Sequence, residues 1–314
     1  MCCLFGLIDT ELRFTGKEKS KMLHALASAS EARGTDATGV AYDSGRNLHI
    51  YKKPIPGHKL NFYVRDNSRF AMGHTRMTTQ GSARKNYNNH PFRGIMQTGT
   101  FALAHNGVLD NDISLRKSLH LSRTRIETDS YIAVQLIVQK GILNFDSLRY
   151  MAELLEGSFT ITVLGDDGSF YIVKGDNPFC LYFFPNCGLY VYASTMEILE
   201  AALEKTWLSC RQTEQIELVC GDILRIDGTG GLSRQRFDTE NLAGSWYGSP
   251  WMYHTHIPRK PGETSFRRDP YLEELKTVAP SFGYEPEAVE RLSAAGMEPE
   301  EIEEFLYIGG YGKL

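Results

Sequence analysis

Apolar positions along the chain follow two rhythms, a period of two and a period near 3.6 residues, and these alternate along most of its length. Cys3, Leu4, Phe5, Leu7 and Ile8 give the first run the character of a strand over 3–9. Thr15 and Glu18 carry the spacing of a capping box, and Met22, Leu26 and Ala29 mark one face of the helix they open, which Gly34 stops. Strand-like runs follow near 40, over 49–53 and over 69–75. Residues 76–90 (RMTTQGSARKNYNNH) lack periodicity and are polar. Loops of that length are often lids or binding loops. A strand over 101–104 runs into His105-Asn106-Gly107-Val108-Leu109. Residues 127–130 open a helix carrying Ile132, Leu136 and Ile137; Asn144 caps another with Phe145, Leu148, Met151 and Leu155 on one face. Period-two runs then fill 158–191, punctuated by the turn signals Gly165-Asp166-Asp167-Gly168, Gly175-Asp176-Asn177-Pro178 and Asn186-Cys187-Gly188. Thr195 caps a helix reaching Trp207, and 216–226 with 232–237 form a last hairpin.

Hairpin-linked strands interrupted by pairs of helices predict an α+β domain with antiparallel sheets. Residues 241–269 break the periodicity with Gly, Pro and aromatic residues and are expected to be a linker between a domain over 2–240 and a small module over 270–314. The module should hold three short helices, over 272–278, 286–295 and 299–307, with Val289, Leu292, Ile302, Phe305 and Leu306 as its core.

Composition narrows the class. The 314 residues are 42% hydrophobic and 23% charged, with a net charge of −4, which is ordinary for a globular protein and gives no reason to expect a nucleic-acid surface. No apolar run is long enough to span a membrane, no secretory signal is present, and a cytoplasmic setting is expected. The six cysteines form no C-x-x-C pair, so no metal site is expected; His254 and His256 are the one close histidine pair. No G-x-G-x-x-G or P-loop pattern occurs, and no cofactor is expected.

Chemistry enters at Cys2. Removal of Met1 would leave a cysteine whose own α-amine, with a pKa of about 7.7–8.0, can serve as the base for its thiol. An ordinary buried cysteine is the alternative. Cys3, on the opposite face of the strand, is structural.

Five segments stand in order: Cys2 in MCCLFG, Arg33-Gly34-Thr35-Asp36, Gly73-His74-Thr75-Arg76, His105-Asn106-Gly107 and Thr128-Asp129-Ser130. Together, from residue 2 to 240, they resemble the glutaminase domain of the class II (N-terminal nucleophile, Ntn-hydrolase) glutamine amidotransferases. The resemblance implies a four-layer αββα sandwich of two antiparallel sheets flanked by helices. It also implies roles. Cys2 is the nucleophile toward the side-chain amide of glutamine. The Asn106 side chain and the Gly107 N–H form an oxyanion hole. Arg76 holds the substrate α-carboxylate and Asp129 its α-ammonium, with Thr75 and Thr79 completing the substrate-binding set, while 76–90 closes over the substrate. Each residue also has an ordinary reading: Arg76 as an ion-pair partner, Asp129 as a helix cap, Asn106-Gly107 as a turn pair. The sequence departs from the hexosamine-synthesising branch in carrying Met77 and Gln80 where that branch has an aromatic residue and a histidine.

Three functions follow. One is a glutaminase acting on glutamine and passing ammonia to a separate synthase. Another is a hydrolase of a different γ-glutamyl amide with no ammonia transfer. The third is a non-enzymatic binding module on the same fold. Self-association is left open by all three.

Overall fold

A computed structural model of the chain describes residues 2–45, 47–209, 211–242 and 284–297, together with Leu272, Leu275, Lys276, Ala279, Ile302, Phe305 and Leu306. The chain divides into two compact units, Met1–Trp246 and Tyr247–Leu314.

In the first unit the elements follow one another as β1 (Cys3–Asp9), α1 (Gly16–Ala29), β2 (Ala37–Ser44), β3 (Asn47–Lys53), β4 (Phe70–Arg76), β5 (Phe92–Met96), β6 (Gly99–Leu109) and α2 (Asp112–Ser118). They continue as α3 (Tyr131–Lys140), α4 (Phe145–Leu154), β7 (Gly157–Gly165), β8 (Phe170–Lys174), β9 (Cys180–Phe184), β10 (Leu189–Ala193), α5 (Met196–Leu203), β11 (Glu214–Gln215), β12 (Asp222–Ile226) and β13 (Leu232–Arg236). One sheet has the order β11-β9-β10-β1-β4-β2-β3 and the other β13-β12-β8-β7-β6-β5, with antiparallel neighbours throughout.

Strand alternation builds the layers. Cys3, Phe5 and Leu7 of β1 pack with Met22, Leu23 and Leu26 of α1 and Leu199 and Ala202 of α5. Leu4 and Ile8 point the other way, with Phe70 and Met72 of β4, against Ala102 and Ala104 of β6 and Leu164 and Phe170 of the second sheet. The odd-numbered Phe101 and Leu103 of β6 instead meet Ile132 and Leu136 of α3 and Leu148 and Met151 of α4. Helices, sheet, sheet and helices therefore stack as an αββα sandwich around three apolar layers, as the resemblance implied.

The caps follow their sequence signals. Thr15 with Glu18 and Asn144 with Ser147 form reciprocal capping boxes, and Thr195 caps α5. Elsewhere the structure differs from the expected spans. The helix opened by Thr195 ends at Leu203 rather than Trp207. The strand expected over 216–226 begins only at Asp222, whose carboxylate accepts from the Val219 N–H at 2.9 Å and folds the preceding residues into a turn. β5 and α2 were not anticipated. β5 is a five-residue edge strand, and α2 is preceded by Asn111, whose side chain makes no cap bond.

Leu242 is buried and forms an isolated bridge with Gly157, so the first unit continues past residue 240. The remainder of the stretch expected as a linker, including His254 and His256, lies outside the described residues. In the second unit α6 (Pro286–Ala294) matches the middle expected helix, and Val289, Ile302 and Leu306 are buried, joined by Leu275 and Ala279. Leu292 is only half-buried, and Phe305 is exposed, its ring 5.7 Å from Tyr284. Most of the other two expected helices lies outside the described residues. No helix among the described residues is long and apolar enough to cross a membrane.

Candidate active site

The same alternation that builds the layers sorts the motif residues. Cys2 precedes β1 in the parity of Leu4, and His74 and Arg76 continue the parity of Phe70 and Met72, so all three face the space between the sheets. Asn106 continues the parity of Ala102 and Ala104 and faces the same space from the second sheet. Cys3 pairs with Thr75, which brings Cys2 to the Arg76 end of β4. At that end His74 Nε2 donates to the His105 carbonyl at 3.0 Å, joining the two sheets beside the motifs.

Cys2 is half-buried, and its thiol donates to the Met77 carbonyl at 3.5 Å. Burial pushes the thiol pKa up; the nearby Arg76 charge opposes the shift and Asp129 adds to it. A thiol held protonated needs a base beside it to become a nucleophile. Arg33 Nε donates to the Cys2 carbonyl at 3.1 Å and anchors the start of the chain. The next residue, Gly34, lies against the end of β4, where a Cβ would come within 2.5 Å of the Arg76 carbonyl carbon. Glycine is what lets the Arg33 segment approach so closely.

Arg76 is 3% exposed. Its guanidinium donates to Asn89 Oδ1 at 2.7 Å, to Gly81 O at 3.2 Å and to Gln80 O, so its partners are neutral oxygens. Burial lowers its pKa, and the carboxylates of Asp36, Asp129 and Glu127 raise it from a distance. Asp129, also buried, accepts from the Leu109 N–H at 2.7 Å and from Ser130 Oγ at 3.3 Å. It is not a helix cap; the N-cap position of α3 belongs to Ser130. The Asp129 N–H donates to Gln80 Oε1 at 3.0 Å. Gln80 thus links the arginine to the aspartate, while Asn88 exchanges two 2.9 Å bonds with Glu127 and Lys85 pairs with the same carboxylate. These ties hold the 77–91 loop against the segment before α3.

Asn106 is fully buried and neither atom of its side-chain amide has a hydrogen-bond partner. Asn106-Gly107 is not a turn pair, since both residues lie within β6 opposite β7. Gly107 has φ +143°, and a Cβ there would come within 1.9 Å of the Ser158 carbonyl oxygen. Only glycine fits. Cys2, Arg76 and Asn106 thus face the inter-sheet space, Gly107 follows Asn106 along β6, and Asp129 is near enough for its charge to act on Cys2 and Arg76. Thr75 is not with them: its hydroxyl faces the helical layer and donates to the Ser30 carbonyl at 3.1 Å. Thr79 is exposed on the loop.

Sequence reasoning missed Gln80 and Asn89 as partners of the arginine, and a cluster of buried imidazoles. His90 lies 4.2 Å from the His74 ring and 4.4 Å from Phe92, with both nitrogens unpartnered. Desolvation pushes His74 down to about 3 and His90 well below its ordinary value, with His105 also lowered. Lys52, beside them, is lowered to about 8 by burial and by Arg76. Among the described residues, no cluster of three or more His, Cys, Asp or Glu side chains is arranged to hold a metal ion.

No family model matches the chain. It is 30% identical over 190 residues to a glutamine–fructose-6-phosphate aminotransferase (isomerizing) of Bacillus licheniformis, and 31% identical over 186 residues to that of Halalkalibacterium halodurans. Each match covers 57% of this chain, which spans 30% of the length of either relative. Among solved structures, the glutamine phosphoribosylpyrophosphate amidotransferase of B. subtilis superposes with a TM-score of 0.60 over 78% of this chain and 52% of that one, at 20% identity, a likeness of fold. In its sandwich fold and in sequence over 57% of its length, the chain is thus similar to the class II (N-terminal nucleophile) glutamine amidotransferases.

Proposed function

We propose that the chain hydrolyses the side-chain amide of glutamine with Cys2 as nucleophile and makes ammonia available to an acceptor enzyme. The observation that carries this reading is Asn106, whose buried and unpartnered amide faces the same inter-sheet space as Cys2. A buried polar group without a partner is costly, and an oxyanion that forms only during reaction would satisfy it.

Once Met1 is removed, the Cys2 amine takes the thiol proton as sulfur adds to the amide carbon. The resulting oxyanion is held by the Asn106 side chain and the Gly107 N–H. Collapse returns the proton to the departing nitrogen and leaves ammonia and a γ-glutamyl thioester. Water, deprotonated by the same amine, then cleaves the thioester to glutamate and restores the thiol. Arg76 meets the substrate carboxylate by exchanging its loop carbonyl partners for a charged, planar one. Asp129 meets the ammonium.

The test is the release of glutamate and ammonia from glutamine, with intact-mass measurement of the active protein. Activity should require a chain beginning at Cys2 and should vanish in Cys2→Ala. Full activity with Met1 retained would overturn the mechanism. Cleavage of larger γ-glutamyl amides by a protein that ignores glutamine would replace the substrate and keep the chemistry.

A further inference from the structure

Asn177 lies in the turn between β8 and β9, a stretch that supplies none of the motif residues. Its side-chain amide nitrogen donates to the Asn106 carbonyl at 3.2 Å and to Ser158 Oγ at 2.6 Å. Its own backbone is fixed in turn. The Asn177 carbonyl accepts from Thr160 Oγ1 at 2.8 Å and from Lys174 Nζ at 2.7 Å, and the preceding Asp176 accepts from the Phe159 N–H at 2.9 Å. Lys174 is buried and spends its charge on this turn, donating also to Gly175 O at 2.8 Å.

The carbonyl that Asn177 grips belongs to the peptide whose other end is the Gly107 N–H. In a planar trans peptide these two groups point in opposite directions. β7 flanks β6 on one side at this level, whereas β5 pairs on the other side only as far as Leu103. Beyond Leu103 that edge of β6 has no β5 partner and meets side chains instead, His74 at the His105 carbonyl and Asp129 at the Leu109 N–H. The Asn106 carbonyl meets Asn177, which also bonds Ser158 of β7, so the Gly107 N–H at the other end of that peptide points away from β7. Gly107 itself, at φ +143° with no side chain to pack, has little intrinsic means of holding this orientation.

We propose that Asn177 is a positioning residue. By holding the Asn106 carbonyl it sets the Asn106–Gly107 peptide so that its N–H is aimed at the substrate oxyanion. The inference rests on the glutaminase reading above and assigns Asn177 no contact with substrate. Its effect is on the transition state, because the oxyanion exists only there.

Asn177→Asp keeps the side chain's size and the turn's backbone bonds while removing the donor. Asn177→Ala removes the side chain altogether. Steady-state glutamine hydrolysis would be measured for both, normalised to the Cys2 that reacts with an electrophilic ketone analogue of glutamine. A misplaced catalytic group loses up to about a hundredfold, so kcat should fall by about 10- to 100-fold with KM changed less than about twofold. An unchanged kcat in either folded variant, or a rise in KM alone, overturns the proposal. Loss of the fold in both makes Asn177 structural and overturns it as well. The underlying reading fails separately, when Cys2→Ala still hydrolyses glutamine.

Discussion

Arg76 and Asn106 are both buried, yet each leaves a demand that the folded chain does not fully meet. The guanidinium is partnered by two backbone carbonyls and an amide oxygen, and the asparagine amide by nothing. A cation surrounded by neutral acceptors gains from an arriving carboxylate both before and during reaction. A donor aimed at an oxyanion gains only in the transition state. The two should therefore separate in steady-state kinetics. Arg76→Ala should mainly raise KM for glutamine. Asn106→Ala should lower kcat by about 10²–10³ with little effect on KM. A change confined to KM in Asn106→Ala would remove it from the oxyanion hole.

Individual elements carry their own stability signals, and α4 gives the clearest one to measure. Asn144 accepts from the Ser147 N–H at 2.9 Å and receives the Ser147 hydroxyl on its own carbonyl at 2.9 Å. Asn144→Ala should destabilise the protein by about 1 kcal/mol. Thermal unfolding should then shift down by about 2–4 °C, with hydrolysis unchanged below the transition. This cap, the Thr15 box and the period-two runs were legible in the sequence because they depend on residues a few positions apart. β5 and α2 were not, since a five-residue edge strand and an uncapped seven-residue helix leave little local pattern. The site divides the same way. Cys2, Arg76, Asn106 and Asp129 stand in motifs, and alternation along β1, β4 and β6 gives the facing of the first three, while Asp129 precedes α3. Asn177 meets Asn106 across 71 residues of chain, and Gln80 meets Asp129 across 49, so only the folded topology reveals either contact. Thr75, next to Arg76 on β4, alternates to the other face, where its hydroxyl meets the Ser30 carbonyl.

Across the whole sandwich, the buried imidazoles make stability depend on acid. His74 bridges the two sheets through a neutral ring, and His90 lies against it with no hydrogen bond of its own. Their pKa values lie below the unfolded value of about 6.5, so below that pH the unfolded chain binds more protons and stability falls as pH falls. For His74 the loss runs down to about 3. His90→Phe removes one such group and breaks no bond. Its melting temperature should match the wild type near neutrality and decline less steeply between pH 6.5 and 4; equal slopes would contradict the burial of a neutral ring. The sandwich has one more consequence. The proposed nucleophile belongs to one sheet and the proposed oxyanion donors to the other, and what separates them is the filling of Leu4, Met72, Ala104, Leu164 and Phe170. Close-packed interiors compress little, so that filling works as a gauge block. A methyl group added to it would change the gap across which sulfur meets carbon, as a shim under one jaw alters the bite of a vice.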